Sequence, residues 1–163
     1  MNTPATQSSA ISPQTREIIF YKNESGEVKV EILLQNENLW LTQAKIADLF
    51  DVDRTVITKH LKNIFAENEL DENSVCANFT HTAADGKNYK TKFYNLDAII
   101  AVGYRVNSKK ATQFRIWSNK ILKEYVIKGF AMNDERLKEP DYYFGKDYFE
   151  EQLERIRDIR SSE

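Results

Sequence analysis

The chain has 163 residues, of which 41% are hydrophobic and 12% aromatic, so it can build one compact core with an extension but not several domains. Its apolar runs are shorter than the roughly 18 to 20 residues of a membrane span, and it does not begin with the basic-then-apolar order of a signal peptide. Its one cysteine, Cys76, excludes an internal disulfide and fits a reducing compartment. These features predict a cytoplasmic protein without a membrane partner.

The formal net charge is −2, which by itself argues against a nucleic-acid partner, but the charge is unevenly distributed. Residues 85–128 contain ten basic and three acidic residues, for a segment charge of +7, whereas residues 129–163 contain six basic and ten acidic residues, for −4. Phosphate binding depends on local cation density, because counterions are released where the protein contacts the backbone. The +7 segment therefore favours a nucleic-acid partner, although a solvated surface would have the same composition.

Three strands are predicted near the N-terminus. Residues 1–15 are rich in Ser, Thr, Pro and Gln, which predicts a disordered tail. Two β-branched and apolar runs, 16–22 and 27–34, flank an Asn-Glu-Ser-Gly turn, which is typical of a β-hairpin. Residues 39–41 predict a third, short strand that ends before Thr42, a suitable helix N-cap.

Residues 41–65 have the pattern of a helix-turn-helix. Thr42 is expected to cap the first helix, Asp51 and Val52 to form the turn, and Asp53 to cap the second helix. Apolar residues recur at three- and four-residue spacing, so each helix is expected to bury one side. These apolar residues are Ile46, Leu49 and Phe50 on the first helix and Ile57, Leu61 and Ile64 on the second. The other side chains of the second helix face outward and carry hydrogen-bond donors. Such donors reach base edges and phosphates when the helix lies in a major groove. These predicted DNA-binding residues are Arg54, Thr55, Thr58, Lys59 and Lys62.

A second hairpin is predicted after the helix-turn-helix. Strand-like segments at 75–79 and 87–94 flank an Asp85-Gly86 pair, which supplies the positive φ angles of a tight hairpin. A hairpin that follows a recognition helix is the arrangement of a winged helix, in which the loop rests on the adjacent nucleic-acid backbone. The predicted backbone contacts of this wing are Lys87, Lys90 and Lys92.

Three helices are predicted in the remaining chain. Asn95 caps a helix over 96–106 with an apolar face of Leu96, Ile99, Ile100 and Val102. A longer helix over 110–128, which Gly129 ends, carries a core-packing stripe of Phe114, Trp117, Ile121 and Tyr125. A charged helix over 146–160 needs a partner surface to be stable. The predicted fold is therefore α+β, with a winged helix-turn-helix-like domain over 16–130, its N-terminal β-hairpin, and a linker with a C-terminal helical extension over 131–163.

No catalytic or metal-binding machinery is evident in the sequence. There is no nucleophile elbow, no Gly-rich phosphate loop and no cluster of His, Cys, Asp and Glu at metal-ligand spacing. The sequence therefore predicts a protein that is not an enzyme, with no cofactor, no metal and no small-molecule ligand.

The chain resembles the RhuM family, bacterial proteins often labelled virulence proteins, and in particular the N-terminal part of that family. The resemblance extends over about residues 16–163, and its motifs are WLTQ (40–43), NIF (63–65), ELD (69–71), AADGKNYKTKFYNLD (83–97), VGYRV (102–106), QFRIW (113–117), LKEY (122–125), KGF (128–130), DERL (134–137) and RIRDIR (155–160). The family's molecular function is poorly defined, so the resemblance implies no catalytic residues. It implies that related chains are longer, which agrees with a chain that ends without a helix stop. The 114–117 helix also resembles phage antirepressor-like domains, a fold-level analogy.

The residues favour a winged helix-turn-helix binder of double-stranded DNA, a transcriptional regulator or DNA-targeting module that acts as a homodimer. A dimer is expected because one recognition helix reads few base pairs and two-fold pairing doubles the contact, and the 146–160 helix is a candidate interface. Two alternatives stay open. In the first, the chain is a protein-interaction or antitoxin-like module. In the second, it is the targeting segment of a longer effector. Neither alternative includes sequence-specific DNA binding.

Overall fold

A computed structural model of the chain describes residues 14–82, 84–139 and 144–162. These residues form five strands and seven helices, which confirms the α+β class. Of the predicted disordered tail, residues 1–13 lie outside the described ranges, and the prediction is wrong for Gln14 and Thr15, which belong to the first strand. The strands are β1 (Gln14–Asn23), β2 (Gly26–Gln35), β3 (Asn38–Thr42), β4 (Cys76–Thr82) and β5 (Asn88–Asn95).

The five strands form one antiparallel sheet in the order β1-β2-β3-β5-β4, which confirms the N-terminal hairpin and the short third strand. β1 has a bulge at Phe20, where the pairing passes directly from Ile19 to Tyr21. The bulge allows two adjacent rings to reach the helices. Phe20 stacks on Phe114 with ring centroids 6.0 Å apart, and Tyr21 stacks on Trp117 at 5.1 Å.

The helices are α1 (Gln43–Phe50), α2 (Arg54–Ala66), α3 (Glu72–Val75), α4 (Leu96–Arg105), α5 (Lys109–Lys128), α6 (Asp134–Lys138) and α7 (Tyr148–Ser161). The predicted N-caps are confirmed, since the side chains of Thr42, Asp53 and Asn95 each accept a hydrogen bond from a backbone N–H in the first turn. Gly129 ends α5 with a φ of 84°, also as predicted. Sequence periodicity did not predict α3 and α6 because they are too short to show a helical repeat.

The hydrophobic core lies between one face of the sheet and helices α1, α4 and α5, with α2 packed on α1 and α4. Ile46, Ile57 and Ile64 are completely buried there, as the spacing of the helix pair predicts. On α4 the prediction is wrong for Ile100, which is 38% exposed, because Ala98 and Ala101 occupy the buried side instead. The small residues allow α4 to lie close to its neighbours.

The predicted core stripe of α5 holds only in the first half of the helix. Phe114 is buried and Trp117 is half-buried, but Ile121 is 39% and Tyr125 59% exposed. The reason is length, since α5 has 20 residues and α4 only 10. At 1.5 Å per residue, α5 extends beyond the core that α4 and the sheet can cover.

Candidate nucleic-acid interface

The turn between α1 and α2 is fixed by its backbone. Asp51 ends α1 in the left-handed conformation, with φ 54° and ψ 52°, as expected for a residue at the usual glycine position. The amide of Val52 then donates to the carbonyl of Ala47 at 3.1 Å, and the Val52 side chain packs against the core. The Asp53 carboxylate accepts hydrogen bonds from the amide and the hydroxyl of Thr55, which lower the pKa of Asp53. The two helices are therefore held at a defined angle.

Gln43 links the start of α1 to the start of α2. Its Nε2 donates to the carbonyl of Arg54 at 3.2 Å and also to the hydroxyl of Thr58, which in turn contacts the Arg54 carbonyl. This contact fixes the position of the first two turns of α2 relative to α1. Sequence reasoning missed Gln43 because the partner carbonyl is 11 residues away and is brought near only by the turn.

The solvent side of α2 is cationic. Thr55, Lys59 and Lys62 recur at spacings of four and three, so they align on one side, and all three are exposed. Together with exposed Arg54, they give a helix with three permanent cations and no acidic residue. None of the three cations forms an ion pair with any residue that the structure describes.

The structure separates the five predicted residues into two groups. Arg54, Lys59 and Lys62 extend into solvent, whereas the hydroxyls of Thr55 and Thr58 have partners within the helix pair. It also adds Asn63, which is exposed one turn after Lys59 on the same side. An amide at this position is of the type that pairs with adenine in a major groove. The four-residue spacing from Lys59 is the sequence signal that could have identified it.

The hairpin formed by β4 and β5 follows this helix pair. The antiparallel pairing of β4 with β5, from Cys76–Tyr94 to Thr82–Asn88, confirms the predicted hairpin. Among its described residues only Gly86 has a positive φ, of 79°. The Asp85 carboxylate shapes the loop instead, because it accepts hydrogen bonds from the Lys87 amide at 2.9 Å and from the Tyr89 hydroxyl.

The three predicted wing lysines differ in their surroundings. Lys87 and Lys90 are exposed and have no ion pair among the described residues. Lys92 lies 2.7 Å from the Glu72 carboxylate, which raises the pKa of Lys92, and 5.5 Å from the Tyr94 ring centroid. Alternation along β5 places Lys90 and Lys92 on the face of buried Tyr94, the face that packs against the helices. A phosphate that binds Lys92 would therefore have to displace Glu72, whereas a phosphate that binds Lys87 or Lys90 would not.

The +7 segment does not form one continuous patch. Four of its ten basic side chains have partners in the chain: Lys92 with Glu72, Arg105 with Glu67 and Glu69, Lys128 with Glu124, and Arg115 with the carbonyls of Gly103 and Val106. The other six are exposed and lie on the hairpin and at two places on α5: Lys87, Lys90, Lys109, Lys110, Lys120 and Lys123.

The first of the α5 lysines lies beside the helix pair. The Ser108 hydroxyl caps α5 and donates to the Phe50 carbonyl at 2.6 Å, so the start of α5 adjoins the turn between α1 and α2. Lys109, the first residue of α5, is therefore exposed near this turn, where Asp51 and Asp53 are also exposed. Sequence reasoning did not connect it with the helix pair, because the 58-residue separation is closed only by folding.

His60 lies at the edge of the α2 surface. Burial, together with the positive charges of Arg105 and Lys59, lowers the pKa of His60 below its ordinary value of 6.5. The unfolded chain therefore takes up a proton at this residue at a higher pH than the folded protein does, so protonation favours unfolding as pH falls below about 6.5. At neutral pH the imidazole is uncharged and adds nothing to the cationic surface.

We expect the urea midpoint of the wild type to fall as pH is lowered from 7 to 5.5, and His60→Gln to remove part of that fall. The measurement is a set of urea melts across this interval, which stays above the range where carboxylates titrate. His81→Gln controls for the other histidine. An equal pH dependence in wild type and His60→Gln would contradict the assignment.

Two further classes of site were sought in the described ranges. Nowhere in them do three or more His, Cys, Asp or Glu residues come together in a way that could hold a metal ion. Among the helices of these same ranges, none combines the length and hydrophobicity that crossing a bilayer requires.

Comparison with known proteins identifies a family for this chain. The family described as Virulence protein RhuM family matches over residues 74–163, more than half of the chain, from α3 and the hairpin through α7. The helix pair and the motifs at 40–43, 63–65 and 69–71 precede the matched segment. No curated protein sequence and no solved structure matches the chain.

Proposed function

We propose that this chain, which belongs to the Virulence protein RhuM family, is a winged helix-turn-helix protein that binds double-stranded DNA through α2 and the β4–β5 hairpin. In this proposal α2 lies in the major groove, and Arg54, Lys59 and Lys62 are its main contacts. Lys87, Lys90 and Lys92 of the hairpin contact the adjacent phosphates. The protein acts by binding in the cytoplasm, as a transcriptional regulator or DNA-targeting module, and not by catalysis.

The observation that carries the proposal is the solvent side of α2. A surface helix usually mixes charges of both signs, and cations on it tend to pair with nearby acids. On α2 three cations have no acidic residue on the same helix and no ion pair among the described residues. The Asp53 cap and the Gln43 bridge position the start of this helix against α1, and a helix that reads bases needs such support. Arg54, Lys59 and Lys62 can therefore bind phosphates and guanine edges without first breaking an ion pair among the described residues.

The hairpin supports the same assignment. Pairing of β3 with β5 joins the strand before the helix pair to the hairpin after it, so the helices and the wing belong to one unit. Lys87 and Lys90 are available on this wing for phosphate contacts. A second recognition helix at a fixed distance would double the base pairs read, so we extend the proposal to a homodimer.

The test is a titration of labelled duplex DNA of random sequence at a low and a higher salt concentration. We expect binding at low salt that weakens steeply as salt rises, because each neutralised phosphate releases counterions. Single-stranded DNA of the same sequence is the control for a non-duplex ligand. Absence of duplex binding at low salt, or binding that does not depend on salt, would contradict the proposal and favour the protein-interaction alternative.

A further inference from the structure

The sheet ends at two edge strands, β1 and β4, and each has one side without a strand partner among the described residues. In an antiparallel sheet, every second residue of an edge strand directs its N–H and C=O groups away from the sheet. Such a row of backbone groups is a template for pairing with another chain. Proteins usually protect it with charged residues, proline, bulges or a covering segment. The two edges of this sheet differ in that protection.

The edge strand β1 has several of these protective features. Its sequence includes Arg16, Glu17 and Lys22, and a bulge at Phe20 interrupts its pairing with β2. Lys22 also forms an ion pair with Glu135 of α6, which holds α6 beside the end of this strand. A bulge disrupts the regular alternation of the backbone groups that a further strand would need. β1 is therefore poorly suited to pairing with another chain.

The edge strand β4 lacks these features. It pairs with β5 in unbroken register from Cys76 to Thr82. Its sequence includes no Lys, Arg, Asp or Glu and no proline. Its main helix contact is α3, which directly precedes it in the chain. β4 is therefore a regular, uncharged edge whose outer side has no strand partner within the described ranges.

An aromatic cluster reaches this edge on the face of the sheet opposite the helices. Trp40 and Phe93 lie on that face, since their chain neighbours Leu41 and Tyr94 face the core. Phe79 of β4 packs edge-to-face on both rings, with centroids 5.3 Å from Trp40 and 5.5 Å from Phe93. Trp40 is buried, whereas Phe79, on the outermost strand, is only half-buried. A strand paired with β4 would cover more of Phe79 and add apolar burial to the backbone hydrogen bonds.

We infer that the outer edge of β4 is a homodimer contact, in which it pairs antiparallel with β4 of a second copy. An uncharged strand brings no like charges together when it pairs with itself. Addition of a foreign peptide instead takes its specificity from pockets for alternate side chains. The helix that β4 mainly contacts, α3, is about 6 Å long, against about 24 Å for the strand, so it cannot form a row of such pockets along it.

The symmetry of this contact fits the proposed function. Antiparallel pairing of two identical strands is isologous, so a two-fold axis relates the copies. For neighbouring strands of one sheet this axis is normal to the sheet, so both helix layers lie on the same side. The two α2 helices then face one side of the assembly, as binding to a single duplex requires. The inference rests on the homodimer of the proposed function and names its contact, but the contact itself requires no DNA.

The double variant Asn78→Glu/Thr80→Glu of the full chain tests this pairing. Both residues are exposed on β4, and their cross-strand neighbours on β5 are Lys92 and Lys90. Within one copy the new carboxylates therefore lie beside opposite charges, which favours the fold. Across the two-fold axis they lie close to the same carboxylates of the second copy, and we expect dimerisation to weaken at least about 10-fold.

The matched control is Thr15→Glu/Ile19→Glu, which adds the same charge at exposed positions of the opposite edge strand, β1. This control is expected to dimerise like the wild type. Sedimentation velocity without DNA is measured over a range of concentrations, because one strand pair is smaller than the roughly 800 Å² per partner of a standard interface. Far-UV circular dichroism verifies that both variants are folded.

Amide hydrogen exchange of the wild type gives a second readout that needs no substitution. Exchange in residues 76–82 is expected to slow as protein concentration rises, because pairing protects the outward N–H groups of β4. Exchange there that does not change while the protein dimerises would overturn the inference, since the dimer would then use another surface.

Three sedimentation results would also overturn it. A wild type that stays monomeric up to millimolar concentration would leave β4 to a strand of a different protein. A β4 variant that dimerises as tightly as the wild type would place the contact elsewhere. A β1 control that dissociates as readily as the β4 variant would mean that added charge, and not the β4 edge, weakens the dimer. None of these outcomes bears on duplex binding by a single copy, so the two proposals fail separately.

Discussion

Replacement of Arg54 and Lys59 by alanine is expected to reduce affinity for duplex DNA by about 10- to 100-fold at low salt. A base or phosphate contact from such a side chain contributes about 1 to 3 kcal/mol when it reaches a base edge, and less at a phosphate. Arg54 lies in the first turn of α2 and Lys59 on its solvent side, and neither has an ion pair among the described residues. Their removal therefore costs little folding free energy while it removes two proposed contacts. The slope of log affinity against log salt should become shallower by about 1 to 2.

The matched control is Lys29→Ala/Lys138→Ala, which lowers the net charge by the same amount. Lys29 lies on β2 and Lys138 on α6, and both are exposed. This variant is expected to bind within about threefold of the wild type, since only the long-range field changes. Equal losses in both double variants would mean that net charge, and not the α2 surface, determines binding. Fluorescence anisotropy titrations at two salt concentrations measure both quantities.

Gly103→Ala is expected to destabilise the fold by about 1 to 3 kcal/mol, although a Gly-to-Ala change within a helix normally stabilises it by about 1 kcal/mol. Gly103 is buried in α4, and a Cβ there would lie 2.6 Å from Cε1 and 2.7 Å from Cδ1 of Phe114, and 2.8 Å from Cζ of Phe50. Both rings are among the largest fully buried side chains. They form an edge-to-face pair with centroids 5.4 Å apart, so neither moves without disturbing the other.

Urea melts of Gly103→Ala, Phe114→Leu and the double variant distinguish steric conflict from a change in helix propensity. Leucine lacks the Cε1 atom nearest to the new methyl group, so the double variant should be more stable than the sum of the two single effects predicts. Strict additivity would contradict the steric explanation. A stabilised Gly103→Ala would contradict the packing of α4 against Phe114 itself.

The sequence determined those features whose physical causes are local. Turn-forming residues and alternation of apolar and polar side chains set β1, β2 and β3, and cap residues such as Thr42 and Asp53 set where the helices begin. Helical spacing within 13 residues is enough to show which side of α2 is buried, and hence that Lys59 and Lys62 face solvent. The helical part of the candidate site could therefore be predicted from the sequence.

The tertiary structure decided the features that depend on residues far apart in the chain. The charge of the 85–128 segment gave no sign that Lys92 pairs with Glu72, because that ion pair forms only when α3 lies beside β5. The spacing on α5 could not show that Ile121 and Tyr125 lie beyond the core, because the extent of the core is set by the shorter α4 and the width of the sheet. The Gln43 bridge and the Ser108 contact with Phe50 arise in the same way. Periodicity reports which side of an element is apolar, and only packing determines how much of that side is covered.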